Sequence, residues 1–140
     1  MTKSVESAPV YARLLETIRN GFDLLDDTVK AEMQHYVQDC QLPSGAFGNR
    51  AGQADEYYSL FGTYLSVALN LDECVSKLKV YVESFSVEGS SVSGASVQLM
   101  RILLGATDST KQRPKFKLHS DGGVYSLFLF FLIIRHSELI

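Results

Sequence analysis

The segment from residue 54 to residue 71, "ADEYYSLFGTYLSVALNL", is apolar on nearly every side of the helix that it predicts. A helix on the surface of a domain needs only one apolar stripe, whereas apolar residues in every direction require neighbours all around. The residues that cover its sides are Tyr57, Tyr58, Leu60, Phe61, Tyr64, Leu65, Val67, Ala68 and Leu69. We therefore expect this helix to be enclosed by other helices.

Two further helices are predicted before the enclosed one. Apolar side chains recur at helical spacing over residues 11–22, with Gly21 placed to end the first helix. A second helix begins at Asp26 or Asp27, either of which can cap it, and must stop before Pro43.

The chain after the enclosed helix also shows helical patterns. Asp72 is a natural N-cap for a fourth helix, whose narrow apolar stripe ends at Phe85 and leaves one side in water. The Gly/Ser-rich stretch "EGSSVSGAS", residues 88–96, predicts a joint. An apolar fifth helix, "VQLMRILL", follows this joint and stops at Gly105.

Short sequence matches link the apolar helices to one another. The tetrapeptide Tyr-Ser-Leu-Phe occurs at residues 58–61 and again at residues 125–128, and "VSGASVQL", residues 92–99, aligns between the two copies. Residues 106–120 are predicted to connect to a last apolar helix, residues 124–136. The sequence thus predicts an all-α fold of repeated pairs, each with one enclosed and one half-exposed helix.

Composition excludes several classes of function. A length of 140 residues predicts a single domain over residues 1–140. The net charge of −3 argues against nucleic acid as a partner, since phosphate neutralisation needs a clustered excess of Lys and Arg. The apolar run "VYSLFLFFLII" is about half the roughly 20 residues that a membrane-spanning helix needs. Two cysteines and an N-terminus without a signal-peptide pattern predict a cytoplasmic protein.

The stretch "CQLPSGAFGNRAGQADEYYSLFGTYLSVALNL", residues 40–71, resembles the helical repeat of the protein prenyltransferase β-subunit and squalene–hopene cyclase families. In those families a half-exposed helix ends near "CQ", a Gly-Gly-Phe loop follows, and a Tyr-rich enclosed helix comes next. Ala46 replaces one of the loop glycines, and "SDGGVYSLF", residues 120–128, is a shorter second match. The resemblance implies an α/α toroid of antiparallel helix pairs, of which this chain would form roughly half.

A half-length toroid leaves the flank of its last helix uncovered. Each large apolar side chain left half in water loses about 1.5 kcal/mol or more of burial free energy. We therefore predict self-association, or a second chain that supplies the missing half of the ring.

The resemblance also shows which catalytic groups are lacking. The prenyltransferases bind zinc through Asp-x-Cys and a His, whereas the matching position here reads Asp55-Glu56-Tyr57, and Gly122 stands at the position of the His ligand. The Asp-x-Asp-Asp acid of the cyclases has no counterpart, because the Asp26-Asp27 pair is better explained by helix capping. We therefore predict no metal and no cofactor.

The resemblance also implies an apolar cavity at the centre of the toroid, with a rim of helix N-termini and loops around its mouth. Candidate acids there are Asp55, Glu56 and Asp121. Candidate ligand-binding residues are Arg50, Tyr57, Tyr58, Phe61, Tyr64, Phe128 and His119, although aromatic residues at helical spacing more often form plain core. The basic run "KQRPKFK", residues 111–117, could attract a diphosphate or an acidic partner, or be a solvated loop.

Three functions remain open. The first is a prenyltransferase- or cyclase-like helical protein that binds an apolar isoprenoid, a lipid-like ligand or a protein partner without the metal and acid motifs of the family. The second is half of an active terpenoid cyclase or prenyltransferase, completed by a second chain. The third is a purely structural helical-repeat interaction module.

Overall fold

The computed structural model describes residues 10–85 and 91–105. Within these two ranges the chain is all-helical, with five helices and no strand, which confirms the all-α part of the predicted fold. The helices are α1 (Val10–Asp23), α2 (Asp27–Cys40), α3 (Glu56–Ala68), α4 (Asp72–Glu83) and α5 (Ser91–Leu103).

Helix α3 is the centre of the described structure. It packs most extensively against α5, then against α1 and α4, and more lightly against α2. Small side chains permit this close approach, since Ser59, Gly62, Thr63 and Ser66 are all buried along α3. The predicted enclosure is confirmed for most of its circumference. Phe61 and Tyr58 are exceptions, because they remain 48% and 41% exposed near the start of the helix.

Local side-chain chemistry sets the start of two helices. The carboxylate of Asp26 accepts a hydrogen bond from the Val29 N–H at 2.9 Å, and that of Asp55 accepts one from the Tyr58 N–H at 3.0 Å. Both are N-cap bonds that satisfy a donor left free at a helix N-terminus. The predicted cap of α2 is confirmed, and Asp55, predicted as a possible first residue of α3, is its N-cap.

The N-cap predicted for α4 is wrong by one residue. Leu71 precedes the helix and Asp72 is its first residue, with no side-chain cap bond. Asn70 adopts a left-handed φ of 58°, and the Leu71 N–H donates to the Ser66 carbonyl at 2.9 Å. The left-handed turn at Asn70 closes α3 tightly. Leu71, which is buried, therefore occupies the N-cap position of α4.

Two predicted helix boundaries also differ from the structure. Gly21 does not end α1, which continues to Asp23. Helix α5 begins at Ser91, inside the stretch expected to be a joint, because Ala95 and Ser96 are buried and packing overrides the weak helix propensity of glycine and serine. The predicted stop at Gly105 is confirmed, since this residue has a φ of +67° just after α5.

The joint between α2 and α3, residues 41–55, is held by the helices around it. The Phe47 N–H donates to Ser59 Oγ at 2.9 Å, and the Ser59 hydroxyl donates to the Phe47 carbonyl at 3.3 Å. The Phe47 ring lies against Gly62, where a Cβ atom would overlap it. Gly45, with a φ of +93°, lies so close to the Lys77 carbonyl that a Cβ would overlap that atom. Phe47 therefore plugs the joint between α2 and α3.

Two glutamines, one within α2 and one just after it, tie this helix to distant backbone. Gln34 donates to the Leu69 carbonyl at 2.9 Å, and Gln41 donates to the Cys74 carbonyl at 3.1 Å and to the Gly45 carbonyl at 3.0 Å. The acceptor carbonyls lie just after α3, in the first turn of α4 and in the joint. Helix α2 is thereby fixed at its middle and at its C-terminal end, although Val37 is its one buried residue.

Arg101 fixes the last described helix. Its guanidinium donates to the Phe85 carbonyl at 2.7 Å, just after α4, and to the Val82 carbonyl at 3.1 Å, in the last turn of α4. The last turn of α5 thus lies beside the end of α4. This contact gives no support to the predicted toroid, which stays a prediction.

Several sequence predictions fall outside the described residues. They are the connection at residues 106–120, the last helix at residues 124–136 and the second family-like motif, with the candidates Asp121, Phe128 and His119. Among the helices that the structure describes, none has both the length and the apolar character needed to cross a membrane.

Candidate functional site

The predicted rim lies at the start of α3. Asp55 and Glu56 are partly exposed there, and the carboxylate of Asp55 is engaged as the N-cap. Both carboxylates lie near the hydroxyl of buried Tyr81. Burial raises the pKa of Tyr81. The nearby carboxylates of Glu56 and Asp55 raise this pKa further, whereas a hydrogen bond with Ser59 lowers it. The cap bond gives Asp55 a structural role. Because Tyr81 belongs to the last turn of α4, the end of α4 lies next to the start of α3.

Three aromatic residues cluster on the first turns of α3. The rings of Tyr57 and Phe61 meet edge to face with centroids 5.0 Å apart, and those of Tyr57 and Tyr58 do so at 6.2 Å. Such pairs prefer these geometries because the positive ring edge faces the negative ring face. We call Tyr57, Tyr58 and Phe61 the aromatic face. The structure thus brings together three of the predicted ligand-binding residues.

Tyr64 is not part of the aromatic face. It lies on nearly the same side of α3 as Tyr57, but about two turns further along, where α1 covers the helix. Its side chain is only 3% exposed, and burial, together with nearby Tyr11, raises its pKa to about 12. The position of Tyr64 in the core fits the alternative that aromatic residues at helical spacing are plain core.

Arg50 lies in the joint, at the tip of a turn that closes between Asn49 and Gln53. Asn49 Oδ1 accepts hydrogen bonds from the Ala51 N–H at 2.9 Å and the Gln53 N–H at 3.0 Å, and Gly52 has a φ of +77°. The Arg50 side chain is exposed. The turn therefore presents a cation to solvent next to the start of α3.

The described residues contain no group of three or more His, Cys, Asp or Glu side chains that could hold a metal ion. Cys74 lies in the first turns of α4 and is buried, and burial raises the pKa of its thiol despite the opposing charge of Lys77. A thiol with a raised pKa is a poor source of the thiolate that zinc binds. Cys74 serves as core.

A second surface was not predicted from the sequence. One side of α2 lines a shallow, open groove, and the residues that form it recur at helical spacing: Asp27, Thr28, Ala31, Glu32, His35, Tyr36 and Asp39. We call these seven residues the α2 face. The signal that could have found it is the helical spacing of its acidic residues around Tyr36, which is 72% exposed.

Comparison with protein-family models, with curated proteins and with solved structures gives no match for this chain. The resemblance to the prenyltransferase and cyclase repeat therefore stays a prediction. What the described geometry offers is surfaces for binding: an aromatic face at the start of α3 and a groove on α2.

Proposed function

We propose that this chain is a helical binding module that takes an apolar partner on the aromatic face of α3. One observation carries the proposal: Tyr58 and Phe61 are about half exposed on a helix that is otherwise enclosed by four others. Aromatic side chains bury about 150–250 Å² each and lose little conformational freedom on binding, so they contribute strongly to interfaces.

The openness of the aromatic face favours a protein partner over a small ligand. Sites for small molecules bury about 70–90% of the ligand surface in a cleft. The aromatic face instead projects from a helix, with Tyr58 and Phe61 exposed to solvent. A second copy of this chain is the first partner to test, because the resemblance to a half-length ring also predicts self-association. An isoprenoid chain comes second.

The test uses a double variant in which both exposed rings are removed, Tyr58→Ser with Phe61→Ser. The matched control is Tyr36→Ser, which removes a still more exposed ring, at 72%, from α2. Sedimentation velocity over micromolar concentrations measures self-association. Fluorescent geranyl, farnesyl and geranylgeranyl alcohols measure whether affinity rises with prenyl chain length.

We expect the unchanged chain and the control to associate, or to bind the prenyl probes, and the double variant to do neither. The purely structural alternative predicts that the double variant behaves like the control. A chain that stays monomeric and binds none of the three probes contradicts the proposal.

No described contact favours the enzymatic alternative. It requires Asp55, Glu56 or Asp121 as the acid, and Asp55 serves as the cap of α3. Asp55→Asn keeps the capping ability and removes the acid, so it separates the two roles in any turnover assay with an added second chain.

A further inference from the structure

Helix α2 turns one side away from the core. Val37 is its one buried residue, and at about 3.6 residues per turn the seven residues of the α2 face lie on the opposite side of the helix. The groove along this face is shallow and open, whereas a small-molecule site encloses most of its ligand. The shape of the α2 face therefore suits a segment of a protein.

Tyr36 is the exposed ring of this groove. Its side chain is 72% exposed, more than those of Tyr58 and Phe61 on the aromatic face. Glu32 stands four residues before Tyr36 and Asp39 three residues after it. Side chains at these spacings are neighbours on a helix surface, with Cβ atoms about 5–6 Å apart. The ring of Tyr36 is thus flanked by one carboxylate on each side along the helix.

No cation of α2 neutralises these two carboxylates. Lys30 is the one Lys or Arg residue of the helix, and it lies on the same side as Val37. There its Nζ is 5.8 Å from the centre of the Phe22 ring in α1, within the range of a cation–π contact. Within the described ranges neither Glu32 nor Asp39 forms a salt bridge. The α2 face therefore favours a cationic partner.

A ring beside carboxylates favours arginine over lysine as the cation. A guanidinium is planar, so it can stack on an aromatic ring and donate two parallel hydrogen bonds to a carboxylate. A lysine ammonium is a compact, strongly hydrated charge without a flat face. A guanidinium stacked on Tyr36 would have a carboxylate one helical turn away in either direction.

The separation of the two carboxylates sets the spacing of the cations in the partner. Glu32 and Asp39 are seven residues apart on one helix, which corresponds to about 10 Å at 1.5 Å per residue. Two arginines seven residues apart on a second helix have the same separation. A helical partner can therefore place one guanidinium at each carboxylate, with Tyr36 between them.

We propose that the α2 face is a docking surface for a helical segment of another protein that carries arginines one heptad apart. Docking pairs the two guanidinium groups with Glu32 and Asp39, and one of them stacks on Tyr36. The inference is independent of the aromatic face, which lies on α3 and is proposed to take an apolar partner.

Three synthetic peptides test the chemistry of the partner. Each is an alanine- and glutamine-based chain of about 20 residues, long enough to form a helix. Two positions seven residues apart are arginine in the first peptide, lysine in the second and glutamine in the third. Amide chemical shifts of the isotopically labelled full chain, followed through a titration with each peptide, give both the affinity and the surface that is bound.

We expect the arginine peptide to shift the amides of the α2 face. The lysine peptide should bind about threefold more weakly, the size expected of a lost stacking contact at an exposed site. The glutamine peptide should bind about tenfold more weakly, the size expected of two exposed ion pairs. High salt should weaken binding of the arginine peptide.

A double variant, Glu32→Gln with Asp39→Asn, tests the carboxylates. It should bind the arginine peptide about tenfold more weakly than the unchanged chain does. The matched control, Asp72→Asn with Glu73→Gln, removes the same charge from exposed positions of α4 and should bind nearly as tightly as the unchanged chain. Circular dichroism checks that both variants keep their helices.

Tyr36→Leu tests the ring while it keeps an apolar side chain on the α2 face. It should bring the affinities for the arginine and lysine peptides to within about twofold of each other. Equal binding of the three peptides, an equal loss in both double variants, or shifts confined to α3 would overturn the proposal. Sedimentation without peptide that changes in the Glu32→Gln, Asp39→Asn variant and not in its control would show a second copy as the occupant, and would overturn it too.

Discussion

The hydroxyl of Tyr64 is buried between α1 and α3, and within the described part of the chain it has no hydrogen-bond partner. Burial, with the added effect of Tyr11, raises its pKa to about 12. A tyrosine in the unfolded chain ionises near its ordinary value of about 10. The folded state therefore keeps its full stability below about pH 10 and loses part of it as the pH rises from 10 to 12.

Replacing Tyr64 by Phe should flatten this alkaline fall in the free energy of unfolding. At pH 7 the change should stay within about 1 kcal/mol, because no described bond is lost with the hydroxyl. Urea unfolding at a series of pH values measures both effects, and Tyr36→Phe is the control that should keep the fall. A loss much larger than this at pH 7 would show that the hydroxyl has a partner.

Ser59 makes the two buried hydrogen bonds that hold Phe47 to α3. Ser59→Ala leaves the Phe47 N–H buried without an acceptor, so the free energy of unfolding should fall by about 1–3 kcal/mol. Hydrogen exchange at the Phe47 amide should speed up with it. Ser76→Ala, which removes an exposed bond to the Asp72 carbonyl within α4, is the control and should change stability by less than about 0.5 kcal/mol.

At the scale of elements, the joint between α2 and α3 depends on Gly62. Alanine in a helix is normally more stable than glycine by about 1 kcal/mol. At Gly62, however, the added Cβ would overlap the Phe47 ring. Gly62→Ala should therefore lower the free energy of unfolding by about 1–3 kcal/mol, the size typical of overpacking.

Gly21 provides the matched control for this prediction. It lies within α1, and a Cβ there would meet no other atom within 4 Å. Gly21→Ala should raise the free energy of unfolding by about 0.5–1 kcal/mol. In a Phe47→Leu background the cost of Gly62→Ala should shrink, because the ring that it meets is gone. An equal cost in both backgrounds would contradict the assigned contact.

The sequence predicts those elements whose cause is local. Asp26 and Asp55 cap helices through bonds to residues three positions ahead, and such bonds depend on nearby sequence alone. The need for glycine at residue 62 depends instead on Phe47, which arrives from another element. The early start of α5 likewise depends on the burial of Ala95 and Ser96, which composition does not reveal.

The candidate site was predictable to a similar degree. Aromatic composition identifies Tyr57, Tyr58 and Phe61, yet it also selects Tyr64, which the packing of α1 moves into the core. The α2 face was not predicted from the sequence, because acidic residues on a helix usually indicate only a side that faces solvent.

At the scale of the whole molecule, the described helices share one apolar core that runs from Phe22 in α1 to Leu104 after α5. A single core predicts that these helices unfold together. Leu99→Ala, at a fully buried position in α5, should lower the free energy of unfolding by about 2–5 kcal/mol while the transition stays single. Circular dichroism and tyrosine fluorescence followed through the same urea titration test this.

The control for Leu99→Ala is Leu24→Ala, because Leu24 is 87% exposed between α1 and α2. That change should leave the midpoint of unfolding nearly unchanged. Two separate transitions in Leu99→Ala, one for each probe, would show that α5 unfolds apart from the rest and would contradict the single core.

The bonds of Gln34 and Gln41 have a consequence for the order in which the chain folds. They join residues 35 and 33 positions apart, and between them they close the second half of α2, the joint, α3 and the start of α4 into one loop of sequence. Because the contacts inside this loop span a limited stretch of chain, it can form early and as a unit. We expect the amides of α3, at the centre of this loop, to be the last to exchange with solvent, because four other helices cover them.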